Sequence, residues 1–116
     1  MQQLYIIAPK PDGPCKIGYG ANPLKRLRCL QIGSPEKLYL HSTWLSLDRA
    51  TYQCERLLHG KLWPRRIRGE WFAVSVLEAE QLAASLGMVP ANTIPPLAYA
   101  TIQQALARGR AINKLI

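Results

Sequence analysis

Leu4-Tyr5-Ile6-Ile7-Ala8 and Cys15-Lys16-Ile17-Gly18-Tyr19 are the two runs whose reading decides the fold. Both are rich in strand-forming residues, and Pro9 to Pro14 between them contains the turn pair Asp12-Gly13. They pair as an antiparallel hairpin around a loop of about six residues. Gly18 and Gly20 allow close backbone approach or a positive φ near the end of the second run.

Working outward, Asn22-Pro23 opens a helix, with Asn as cap and Pro at the first helical position. Leu24, Leu27 and Leu30 or Ile32 form its inward stripe, and Gly33-Ser34-Pro35 ends it. Arg26 sits one residue off that stripe, along the rim of the core. A third strand runs from Leu38 to Trp44, with Leu38, Leu40 and Ser42 alternating against Tyr39, His41 and Thr43. A longer helix spans about Leu47 to Leu62, ending before Pro64. Its buried side is Ala50, Cys54, Leu57 or Leu58, and Lys61 or Leu62, while Tyr52, Glu55 and His59 share another face. After the basic loop Arg65-Arg66-x-Arg68, Trp71-Phe72-Ala73-Val74 returns to the core. Ser75 and Glu78 form a capping box for a helix through about Leu86, closed by Gly87.

Composition shifts at Pro90, and the stretch to Pro96 reads as a Pro-rich linker. A final helix follows over about Tyr99 to Leu115, carrying Arg108, Arg110 and Lys114. It packs back on the domain, lies along nucleic acid or mediates self-association. The expected organisation is therefore one α+β domain over 1–89, plus a linker and C-terminal helix over 90–116.

The chain has 116 residues, enough for one core. Fifteen Lys and Arg against seven Asp and Glu give a formal charge of +8, which favours a polyanionic partner. Ribosome-associated and anionic-membrane proteins share such an excess. Three cysteines, Cys15, Cys29 and Cys54, without a CxxC pair argue against a zinc knuckle or a disulfide framework. With no leader-like start and no apolar window of about 20 residues, the expectation is a soluble intracellular protein.

Several side chains suit phosphodiester chemistry. Tyr5, on a central strand, is a packed ring or a proton acceptor. Lys16 on the neighbouring strand favours its phenolate or grounds a phosphate oxygen. Arg26 and Arg28 offer guanidinium forks for phosphate, or form a solvated helix face. Glu55 balances its basic neighbourhood or holds a hard divalent cation, and His59, one turn on, orients a leaving group, bonds Glu55 or is a helix-face histidine with no task. Glu70 is a second candidate metal carboxylate, but the preferred reading is that it fixes its loop against the fold by pairing with a nearby arginine. Trp71 and Phe72 read as core plugs, and Trp63 as a boundary plug or a base-stacking residue. Arg65, Arg66 and Arg68 are candidate phosphate-backbone contacts.

Taken in order, these motifs resemble the GIY-YIG nuclease superfamily, in its compact phage and bacterial branch where the second motif reads Lys-Ile-Gly. Leu4-Tyr5-Ile6 stands for the first motif and Lys16-Ile17-Gly18 for the second. Pro23-x-x-Arg26-Leu27 resembles the arginine helix, Glu55-x-x-x-His59 the metal-glutamate helix and Gly69-Glu70-Trp71-Phe72 the closing signature. The resemblance implies a small three-stranded antiparallel sheet flanked by helices and a site with one divalent metal, Mg²⁺ or Mn²⁺. It implies Tyr5 as water-activating base with Lys16 assisting, Arg26 as transition-state clamp and Glu55 as metal ligand, with His59 beside them. Gln3 and Leu4 precede Tyr5 where relatives carry Gly and Ile, and no residue clearly replaces the asparagine that many relatives place after the metal glutamate, since Asn92 falls in the linker.

The expected function is a metal-dependent DNA endonuclease in the cytoplasm of a bacterial cell or phage-infected host. RNA is an alternative substrate, and the chain is expected to be a monomer or a weak homodimer through its final helix. The competing expectation is a noncatalytic nucleic-acid-binding module of the same fold.

Overall fold

A computed structural model describes residues 2–93. The expected C-terminal helix, with Arg108, Arg110 and Lys114, lies outside the described residues.

Strands β1 (Gln3–Ala8) and β2 (Cys15–Gly20) form the anticipated hairpin, with Tyr5 opposite Gly18 and Ile7 opposite Lys16. Strand β3 (Tyr39–Leu45) pairs with the other edge of β1, so β1 is central and its apolar residues are buried on both faces. The register shifts between Ile6 and Ile7, whose partners are Ser42 and Leu40. His41 falls in that irregularity and bonds the Ala8 carbonyl through Nε2 at 3.1 Å, which gives this histidine a structural task.

The sheet has six strands, not three, in the order β4-β5-β2-β1-β3-β6. The additional strands are β4 (Arg66–Arg68), β5 (Trp71–Phe72) and β6 (Val89–Pro90). Runs of two or three residues are too short to show alternation, which is why composition alone gives no sign of them. Pro90 takes part in the sheet opposite Trp44, and Ala91–Thr93 form a 3₁₀ turn.

Helix α1 (Pro23–Ile32) covers the face bearing Tyr5 and Ile7, against which Leu27, Leu30, Leu38, Leu40 and Trp71 pack. Asn22 caps it, accepting from the Lys25 N–H at 3.1 Å. Leu24 and Ile32, placed on the inward stripe by periodicity, are 55% and 89% exposed, while Leu27 and Leu30 are partly buried and Pro23 at the first position is buried. The opposite face carries α2 (Thr51–Leu62) and α3 (Val76–Ser85), which contribute Cys54, Leu58, Leu62, Ala79 and Ala83 to a core with Leu4, Ile6, Ile17 and Phe72.

Helix α2 starts at Thr51 and not near Leu47, because Ser46 Oγ accepts from the Arg49 N–H and folds those residues into a turn. Gln53 then reaches back to the Ala50 N–H. Leu57 and Ala50 are exposed, leaving Leu58 and Leu62 as the buried members of their pairs. Ser75 caps α3 by accepting from the Glu78 N–H, but the Glu78 carboxylate turns to Arg65 and leaves the capping box half made. Gly87, at φ 81, closes the helix in the left-handed region. Among the described residues no helix is long and apolar enough to cross a membrane.

Candidate active site

The site forms where β5 ends. Strand β5 pairs with β2 only at Cys15 and Lys16, so the outer edge of β2 from Ile17 onward lacks a neighbouring strand. Side chains and a loop carbonyl close it. The Ile17 N–H donates to the Glu70 carbonyl at 3.0 Å, His59 Nε2 donates to the Ile17 carbonyl at 2.7 Å, and the Tyr19 N–H donates to the Glu55 carboxylate. Helix α2 is thereby stitched to a strand edge by Glu55 and His59. Because a carbonyl only accepts, Nε2 is the protonated nitrogen in this bond, which leaves Nδ1 as the ring atom available to a metal ion.

Glu55, His59 and Glu70 each offer a ligand atom, all within 4.8 Å of one another. Glu55 is 7% exposed and its Oε2 is buried without a hydrogen-bond partner. Burial first, then the facing Glu70 carboxylate, push its carboxyl up to about 7, against the opposing pull of Lys16 and the Tyr19 N–H. An orphaned buried oxygen in an acidic cluster fits a hard divalent cation, which would satisfy the acceptor and offset the carboxylate repulsion. The backbone bond through Nε2 is the support a metal-binding imidazole ordinarily has.

Tyr5 lies across the hairpin from Gly18, and its ring folds over that glycine. A Cβ at Gly18 would sit 2.6 Å from Tyr5 Cζ, so the second motif needs glycine to let the phenol lie flat. Gly18→Ala is expected to cost roughly 1–3 kcal/mol through overpacking, and to displace the hydroxyl. Urea unfolding checks the first effect. A Gly18→Ala protein as stable as wild type would show that the ring has room to move.

A cleft of about 430 Å³ opens beside Tyr5, bordered by Tyr19, Lys25, Arg26 and Glu70 among others. Burial raises the Tyr5 phenol above its ordinary range, and Arg26 opposes this by its charge and by hydrogen bonding, while Glu70 and Glu55 add to it. Arg26, not Lys16, is thus the cation that favours the phenolate. Lys16 is 7% exposed and pairs with Glu70 Oε1 at 2.8 Å. The expectation that Glu70 pairs with an arginine is corrected accordingly: its partner is Lys16, and its carboxylate belongs to the cluster. Glu70 is the site residue that sequence reasoning undervalued, the available signal being its place between Gly69 and two core aromatics.

Lys25, which sequence reading passed over, borders the cleft one residue before Arg26, whereas Arg28 is exposed and does not border it. Arg65 is committed to the fold, with Nε on the Ala73 carbonyl and Nη1 on Glu78. Arg66 holds the Gly69 carbonyl and lies over Trp63, and Arg68 is exposed. The basic loop is therefore not uniformly available for phosphates.

A family model described as the T5orf172 domain matches residues 2–87. The chain belongs to this family, which is linked to the broader GIY-YIG nuclease superfamily. No curated protein and no solved structure matches the chain.

Proposed function

We propose that the protein is a metal-dependent endonuclease that hydrolyses phosphodiester bonds in DNA. The observation that carries this reading is the buried, unpartnered Glu55 Oε2 within the Glu55–His59–Glu70 cluster, close enough to Tyr5 for the two carboxylates to raise its phenol. Glu55 and Glu70, with His59 through Nδ1, would hold Mg²⁺ or Mn²⁺. When bound, the ion would supply Lewis-acid polarisation of the phosphate and charge for the leaving oxygen.

The chain's own groups would do the rest. Tyr5 takes the proton from the attacking water, with Arg26 favouring the ionised phenol. The Arg26 guanidinium also faces the phosphate oxygens as negative charge builds there. Lys16 holds Glu70 in place, and Lys25 adds positive charge at the cleft rim. No helix-turn-helix or zinc module is recognisable in this sequence, so specificity would come from nucleic-acid structure or a partner.

The test is Mg²⁺-dependent nicking of a supercoiled plasmid. Activity should disappear in Tyr5→Phe and Glu55→Ala and persist in an Asp12→Asn surface control. Binding without cutting of any DNA topology, branched substrates included, would favour the noncatalytic module. Preferential loss of labelled RNA would move the substrate to RNA.

A further inference from the structure

A second feature lies at the C-terminal end of α2. Glu55 and His59 follow at a four-residue interval, and Trp63 comes just past the helix end, where Leu62 (φ -96, ψ 0) turns the chain into a 3₁₀ turn over Trp63–Arg65. Trp63 is 58% exposed, although Leu62 before it is buried. Its ring is nevertheless held. The Arg66 guanidinium lies 4.8 Å from the ring centroid, and Arg66 Nε donates to the Gly69 carbonyl at 2.8 Å. Gly69, at φ 54, turns the chain into Glu70, which borders the cleft and pairs with Lys16. One arginine thus ties an exposed indole to the loop that carries a cluster carboxylate.

Single exposed apolar residues are ordinary, but this one is fixed by a cation and stands beside the exposed strand Arg66-Ile67-Arg68 at the outer edge of the sheet. The chemistry that matches is a nucleobase, whose π-face stacks on indole while its phosphates meet the arginines. In continuous duplex the base faces are already stacked, so the ligand is an unpaired nucleotide.

We propose that Trp63, held by Arg66 against the loop that carries Glu70, is a stacking platform for an unpaired nucleobase of the strand whose phosphate enters the cleft. Single-stranded, frayed or branched DNA is then the preferred substrate. This rests on the nucleic-acid part of the function proposed above, but not on cleavage.

The experiment is fluorescence anisotropy in EDTA with the full chain and three labelled ligands: single-stranded DNA, a blunt duplex of the same sequence and a duplex with an unpaired tail. Trp63→Ala should weaken the single-stranded and tailed ligands about tenfold, and the blunt duplex less than about twofold, with the salt slope unchanged. Trp63→Phe should restore most of the loss, and Arg66→Ala should lower the salt slope by about one. Unchanged Mn²⁺ affinity in Trp63→Ala reports an intact cluster. Equal weakening of all three ligands, or none, would overturn the platform, as would Trp63-dependent binding of RNA but not of DNA. A protein that passes these tests yet never nicks plasmid would sink the nuclease reading and leave the platform standing.

Discussion

Glu55→Gln is expected to abolish cleavage and at the same time to give a more heat-resistant metal-free protein. The carboxyl of Glu55 is pushed up to about 7 by burial and by Glu70. Its raised value means that folding disfavours the charged form. The stability it contributes is fully present below about pH 4.5, falls as pH rises and is lost once pH passes about 7. An amide keeps the shape and the bond from Tyr19, and can donate to Glu70 without carrying charge. Near pH 8 the gain should be about 1–3 kcal/mol, or several degrees in Tm, and it should vanish towards pH 4. Thermal melts at the two pH values measure it.

The same charge is what a divalent ion needs. Mn²⁺ affinity of the wild type should therefore rise about tenfold per pH unit below 7 and level off above, and Glu55→Gln should lose at least about tenfold. A Glu55→Gln protein that melts earlier at pH 8 would mean that the carboxylate is held ionised by the fold, and the case for a metal there would fail.

Tyr5→Phe should lower nicking by roughly 10²–10⁴-fold, with the fold and Mn²⁺ affinity retained. The phenol lies above its ordinary range, mainly through burial, so only a small fraction is ionised near neutrality. If that fraction is the base, the wild-type rate should climb by up to about tenfold per pH unit between 7 and 9. Below 7 it falls further as Glu55 takes up its proton. Arg26→Gln removes the group that opposes the rise and should depress the rate across this range. Single-turnover plasmid nicking against pH checks all three. A Tyr5→Phe protein with wild-type rate and slope would reduce Tyr5 to the ring that packs over Gly18.

The hairpin and the first helix were legible because their signals are local. A period-two apolar run, a loop rich in Pro and Gly and an Asn-Pro opening each act through neighbouring residues. Tyr5, Arg26 and Glu55 could likewise be picked out from their order along the chain. The partners of these residues could not. That Lys16 meets Glu70 and that His59 reaches the Ile17 carbonyl depend on where β5 stops, and that Arg26 acts on Tyr5 depends on how α1 packs over β1. A two-residue strand leaves no period to read, and its length is set by tertiary packing. Leu24 and Ile32 make the converse point, since an apolar stripe states which residues could be buried while tertiary packing decides which are.

The short β5 has a further consequence for solubility. An open strand edge is a template on which another chain can polymerise, and proteins guard such edges with charge or with covering groups. On β2 the rungs at Ile17 and Tyr19 are filled by His59, by the Glu70 carbonyl and by Glu55. Two of the side chains proposed to hold the ion, Glu55 and His59, are therefore also gatekeepers of that edge, so replacing both would open its rungs to pairing with another chain.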